Sequence, residues 1–133
     1  MNPNYRFVAL RAGHRCEYCQ APEVVFNFPF EVEHIIALVH NGANAEYNWA
    51  LACRACNLRK GIYSSHIDPL TQATVRLYHP RQDNWEQHFS IDVETGEFQG
   101  STAIGRATIA RLDMNHPTQL FARQLWMRLG LFP

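Results

Sequence analysis

Four cysteines in two Cys-x-x-Cys pairs constrain this chain more than any other feature of its sequence. The pairs are Cys16 with Cys19 and Cys53 with Cys56, and a long segment separates them. A tetrahedral Zn²⁺ site uses all four thiolates, two from each turn. Disulfides are disfavoured because the chain shows no secretory signal, and a thioredoxin-like redox pair explains only one of the two motifs. We therefore predict a structural zinc site, with a segment that folds between its two halves.

The composition is that of a globular chain without a broad basic surface. The 133 residues include 12 Lys and Arg against 12 Asp and Glu, and 47% are hydrophobic. This length allows one domain, or one small module with an elaboration. No apolar run approaches the ~20 residues of a membrane span, and the first residues lack the apolar stretch of a signal peptide. We expect a cytoplasmic protein with no membrane partner, whose contacts with any nucleic acid are local.

The segment that follows the first cysteine pair predicts two strands and a helix. Apolar and polar residues alternate over 26–33, which is typical of a strand, and Pro29 either places it at a sheet edge or delays its start. A short apolar return strand follows over 48–52. Residues 54–60 then indicate a short helix that ends at Gly61.

The second half of the chain has a different pattern. We predict a short strand over 74–78 and a hairpin that turns at 94–97. Alanines at helical spacing follow the possible caps Ser101 and Thr102, and Pro117 opens a last helix. Four residues of that helix are expected to share one apolar face: Ala122, Leu125, Trp126 and Leu129. We expect a boundary within Tyr63–Pro69, which gives a module over 1–66 and an extension over 67–133 packed on it.

The residues around the second half of the zinc site resemble a known family. Glu33 and His34 end the first strand, Asn48 precedes the second, and Asn57 follows the last cysteine. The combination is similar to HNH endonucleases of the zinc-stapled type, and it is carried by Cys16-Glu17-Tyr18-Cys19, Val32-Glu33-His34-Ile35-Ile36, Asn48-Trp49-Ala50-Leu51-Ala52-Cys53-Arg54-Ala55-Cys56-Asn57 and Lys60-Gly61. A later run resembles the C-terminal extension of a bacterial subset of the family: Pro80-Arg81, Trp85, His88-Phe89 and Gly105-Arg106-Ala107-Thr108.

The resemblance implies a fold and a set of roles. The fold is α+β: a small ββα-metal (His-Me finger) module stapled by the four-cysteine zinc site, with an α/β C-terminal extension of a hairpin and two helices. Glu33 and Asn57 are implied as ligands of a catalytic divalent cation, His34 as the general base, and Asn48 as the residue that braces the His34 loop. DNA is the implied substrate, and no small-molecule cofactor is expected.

The residues alone support the same chemistry. Hydrolysis of a phosphodiester needs a base for water and a cation for the developing charge. Neutral imidazole accepts a proton near pH 7. Glu33 offers an anionic oxygen and Asn57 a neutral one, which is a sparse oxygen site that favours Mg²⁺ or Mn²⁺.

Three basic residues on the predicted helix, Arg54, Arg59 and Lys60, are candidates for phosphate contacts or else a solvated face. Two other functions stay open at this point: a non-catalytic zinc module that binds nucleic acid or protein, and a redox or metal-sensing cysteine protein. The sequence leaves the choice between monomer and homodimer undetermined.

Overall fold

A computed structural model describes all 133 residues of the protein, and the chain divides into two compact units, Met1–Ser64 and Ser65–Pro133. Short antiparallel strand pairs and five α-helices give a mixed α+β fold, as predicted. None of the helices has the length and apolar character needed to cross a membrane.

The first unit is built on one strand pair and two helices. Its elements are α1 (Tyr5–Arg11), β1 (Glu31–His34), β2 (Trp49–Ala52) and α2 (Arg54–Lys60). Strands β1 and β2 are antiparallel, and His34 pairs with Trp49 in the register. Short 3-10 turns lie at Glu23–Val25, Leu38–His40 and Glu46–Asn48. Helix α1 was not predicted from the sequence.

Strand β1 begins later than the alternating pattern. The pattern starts at Phe26, whereas the strand starts at Glu31, two residues after Pro29. Proline has no N–H to donate to a strand ladder, so pairing begins only beyond it. Helix α2 has the predicted bounds, and Gly61 ends it with a φ of 57°.

The second unit contains two hairpins and three helices. Its elements are β3 (Ser65–Ile67), β4 (Thr74–Arg76), α3 (Trp85–His88), β5 (Phe89–Ile91), β6 (Phe98–Gly100), α4 (Ala103–Leu112) and α5 (Pro117–Arg128). Strand β3 pairs with β4, and β5 with β6, both antiparallel. The predicted hairpin and both long helices are present, and Thr102 caps α4 by accepting from the N–H of Gly105. Strand β3 and helix α3 were not predicted.

The buried face of α5 differs from the expected one. Leu125 is 40% exposed and Leu129 is 70% exposed, whereas the fully buried side chain is Arg123. The Arg123 guanidinium donates to the carbonyls of Gly96 and Met114, at 2.6 Å in each case, and it stacks on Phe98. A guanidinium whose donors are satisfied in this way can be buried, so the apolar stripe of the helix does not identify the face that packs.

Candidate functional site

The four cysteines converge into one buried cluster. Their sulfurs all lie within 4.8 Å of one another, and the Cys19 and Cys53 sulfurs are 3.7 Å apart. Four sulfurs placed ~2.3 Å from a tetrahedral Zn²⁺ would be about 3.8 Å from each other. All four thiols are free of disulfides. The cluster therefore fits a structural zinc site, as the spacing predicted.

Local backbone geometry brings the two halves of the cluster together. Gly13 takes a φ of 62°, which turns the chain out of α1 into the first Cys-x-x-Cys motif. The Glu17 N–H donates to the carbonyl of Leu51 at 2.9 Å, and the Glu17 carboxylate accepts from the N–H of Leu51 at 2.8 Å. Cys53 is the N-cap of α2, and its sulfur accepts from the N–H of Cys56. The first cysteine turn is thus hydrogen-bonded to the strand that leads into the second.

The thiols of the cluster cannot all ionise without a cation. Hydrogen bonds among the sulfurs, with burial added, raise the pKa of Cys19 and of Cys56 well above the ordinary value. Hydrogen bonds from neighbouring thiols lower the pKa of Cys53 well below it. A bound divalent cation would stabilise the remaining thiolates and displace their protons, so metal binding there would release protons.

Glu33 lies on β1 with its carboxylate buried against two partners. The Tyr18 hydroxyl donates to Oε1, and the Lys60 ammonium lies 3.1 Å from Oε2. Burial raises the pKa of Glu33, and Lys60 and Tyr18 offset that rise only in part. Tyr18 belongs to the first cysteine turn, so the zinc cluster and β1 are in direct contact.

Lys60 is not part of an exposed basic face. Its side chain is 1% exposed, and its ammonium also donates to the His34 carbonyl at 3.3 Å. The expectation that Lys60 contacts phosphate is therefore wrong, because its charge is paired inside the unit, and Arg54 and Arg59 stay as candidates. The Arg54 side chain is 61% exposed and lies 3.5 Å from the carboxylate of Glu31.

His34 ends β1 beside a loop residue that the sequence did not single out. Its Nε2 atom lies 3.0 Å from Oδ1 of Asn44, and the indole Nε1 of Trp49 donates to the same oxygen at 3.2 Å. Asn44 lies in a polar loop with several other small and polar residues, so no sequence signal distinguishes it.

Asn48 holds the loop that follows His34. Its amide nitrogen donates to the carbonyls of Ile36 and Ala43 at 2.9 and 2.8 Å, and its oxygen accepts from the N–H of Ile36 at 2.9 Å. Gly42 is needed in the same loop, because a Cβ atom there would lie 1.8 Å from the carbonyl oxygen of Ile36. These contacts join the two ends of the loop next to His34.

Asn57 is positioned by Glu31, a second residue missed from the sequence. The Asn57 amide nitrogen donates to Oε2 of Glu31, which leaves its amide oxygen to accept or to bind a cation. Glu31 precedes Glu33 by two residues on β1, so the period-2 rule for strands places both on one face. Applied to the sequence, the same rule would have placed Glu31 beside Glu33 as a candidate site residue.

A cleft of about 340 Å³ collects the candidate catalytic residues. Glu33, His34 and Asn57 line it together with apolar side chains, among them Leu38, Val39 and Ile62. A cavity of about 420 Å³ beside α1 is lined mainly by apolar groups, and its only carboxylate, Glu31, accepts from the Asn57 amide. The 340 Å³ cleft is therefore the place where a carboxylate, an imidazole and a side-chain amide lie together.

A four-sulfur cluster joined to an antiparallel strand pair and a helix defines a small α+β module whose cysteines fit a zinc site. Residues 16–62 match the sequence model of the HNH endonuclease family. The resemblance is therefore confirmed over these residues; the family is typically composed of nucleases, which act on nucleic acid. No curated protein and no solved structure matched the chain.

Proposed function

We propose that the first unit is a metal-dependent HNH endonuclease that hydrolyses phosphodiester bonds of DNA, by nicking or by cleavage. The observation that carries the proposal is the cleft in which Glu33, His34 and Asn57 meet, within residues that match the HNH endonuclease family. In this proposal His34 is the general base that takes a proton from the attacking water. Asn48 holds the His34 loop in place through its three hydrogen bonds.

Glu33 and Asn57 would hold the catalytic cation. Carboxylate and amide oxygens are the donors that Mg²⁺ and Mn²⁺ prefer. The Lys60 ammonium lies 3.1 Å from the Glu33 carboxylate, so a divalent cation at this carboxylate would have to share it with the ammonium or displace the ammonium. When bound, the ion would neutralise charge that develops on the phosphate.

Contacts with DNA are expected to be few. The formal net charge of the chain is +0, and Arg54 and Arg59 are the remaining candidates for phosphate contacts on α2. Two phosphate contacts correspond to a slope of about −2 in log K against log salt. We therefore expect weak binding that depends on local contacts and on the bound metal.

Plasmid nicking with Mg²⁺ or Mn²⁺ tests the proposal. The zinc-loaded full chain should cut, and His34→Ala should lower the rate by about 10²–10⁴-fold, the usual contribution of a general base. His40→Ala is the matched control, because His40 is exposed, lies in the same loop and does not line the cleft.

Two results would contradict the proposal. Folded, zinc-loaded protein that cuts under no divalent cation would remove the enzyme interpretation, and equal rates for wild type and His34→Ala would remove His34 from its role.

A non-catalytic zinc module that binds nucleic acid or protein is the second candidate function. The ion pair of Glu33 with Lys60 favours it, because a carboxylate that is already neutralised has less need of a cation. A gel-shift measurement that shows DNA binding by the folded, zinc-loaded protein, together with no cleavage in the nicking assay, would support this candidate over the nuclease.

A further inference from the structure

Two ring nitrogens, one from the candidate base His34 and one from Trp49, lie within hydrogen-bond distance of one side-chain oxygen. His34 and Trp49 are cross-strand partners in β1 and β2. The Asn44 Oδ1 atom lies 3.0 Å from His34 Nε2 and 3.2 Å from Trp49 Nε1. Asn44 comes from the loop, so its amide joins the loop to the end of both strands.

The indole of Trp49 determines which of the facing atoms of Asn44 and His34 donates and which accepts. An indole N–H is a donor only, so the amide atom that faces it must be the oxygen. The same oxygen faces His34 Nε2, and an amide oxygen can only accept. Nε2 must therefore carry the proton. A neutral imidazole has one protonated nitrogen, which leaves the lone pair on Nδ1.

We propose that Asn44 is a positioning residue: held by Trp49, it keeps neutral His34 in the Nε2–H tautomer and leaves Nδ1 as the atom that accepts the proton from water. The role in cleavage rests on the proposed nuclease function. The tautomer itself does not, because it follows from the hydrogen bonds alone. The hydrogen bond to Asn44 also fixes the plane of the His34 ring, since an in-line acceptor restricts rotation of the imidazole about its last side-chain bond.

The tautomer is read directly from nitrogen chemical shifts. Long-range ¹H–¹⁵N correlation spectra of the zinc-loaded full chain, at a pH where His34 is neutral, distinguish protonated from unprotonated ring nitrogens. We expect Nε2 to be protonated in the wild type, and His34→Gln identifies the His34 signals by their loss. A dominant Nδ1–H form in the wild type would overturn the proposal.

Substitutions at the acceptor separate positioning from a merely structural role. Asn44→Ala should shift His34 toward a mixture of tautomers and lower the nicking rate by roughly 10-fold, as loss of an outer partner of a functional histidine commonly does. Asn44→Asp keeps an oxygen acceptor, so it should preserve the Nε2–H form. Trp49→Phe should change the spectrum in the same direction as Asn44→Ala, but less.

Asn84→Ala is the control, because Asn84 is exposed in the second unit and its side chain caps no helix. It should leave spectrum and rate unchanged. An unchanged His34 spectrum in Asn44→Ala would overturn the positioning role, even in a protein that cuts DNA. A His34 ring that responds as expected in a protein that cuts nothing would support the positioning role and overturn the nuclease proposal alone.

Discussion

Lys60→Met removes the ammonium that neutralises Glu33 and keeps a flexible apolar stem of similar length. In the native protein the ammonium has two partners, the Glu33 carboxylate at 3.1 Å and the His34 carbonyl at 3.3 Å. After the substitution, the buried carboxylate keeps only the Tyr18 hydroxyl. We expect the first unit to lose stability, because a buried charge without its counter-charge is unfavourable.

The size of the loss follows from the burial of both groups. The side chains of Lys60 and Glu33 are 1% and 4% exposed, so solvent screens the pair little. Removing one partner of such a pair typically costs about 3–5 kcal/mol. In a unit of this size that corresponds to a fall in Tm of well over ~10 °C. Adding Glu33→Gln to Lys60→Met should recover part of the loss, since the uncompensated charge is then gone.

Thermal unfolding of the zinc-loaded protein, followed by circular dichroism, measures the effect. Arg54→Met is the matched control on the same helix. Its side chain is 61% exposed, so the change should cost less than about 0.5 kcal/mol. An unchanged Tm for Lys60→Met, together with weaker DNA binding, would refute the role of Lys60 as a buried counter-charge and indicate that it contacts phosphate.

Three further substitutions probe the cluster, the loop and the second unit. Cys53→Ala should abolish zinc binding and unfold the first unit, because structural zinc supplies folding free energy; metal content and far-UV spectra report both effects. Gly42→Ala should lower stability by about 1–3 kcal/mol and reduce nicking, because the new methyl group would meet the Ile36 carbonyl oxygen at 1.8 Å. Asp68 forms a two-point ion pair with Arg106, whose guanidinium holds the pKa of Asp68 below its ordinary value. The folded state therefore binds this proton less readily than the unfolded state, so stability should fall as the pH drops below about 4, and Asp68→Asn should remove that dependence.

Each of these expectations has an opposing result. A native spectrum and melting curve for the Cys53 variant would contradict the zinc assignment. A Gly42 variant that melts and cuts like the wild type would show that the loop adjusts at no cost. If the wild type and Asp68→Asn lose stability over the same acidic pH range, another carboxylate governs the acid unfolding of the second unit.

Local patterns in the sequence were sufficient for several elements of each unit. Helix α2 ends at Gly61, as a positive φ after the last turn requires, and the hairpin of β5 and β6 follows the alternation that begins at Phe89. Strand β3 was missed because it is mostly exposed and carries no apolar alternation. Short exposed strands are specified by their partner strand more than by their own residues.

Local sequence patterns could not predict which charged side chains are buried. A basic residue at the polar end of a short helix is normally solvated, and only the distant Glu33 makes burial of Lys60 favourable. Arg123 is a second case, since its acceptors are the carbonyls of Gly96 and Met114. Such partners become neighbours only when the chain folds.

Through Tyr18, the cysteine cluster affects the charged groups of the cleft. Its ring lies in the turn between two cysteine ligands, and its hydroxyl donates to Glu33. When the metal leaves, that turn loses its anchor and Glu33 loses a hydrogen bond in the same event. A preparation depleted of zinc should therefore contain fewer competent molecules rather than uniformly slower ones. Its specific activity should then rise in proportion to its zinc content, with the same affinity for substrate throughout.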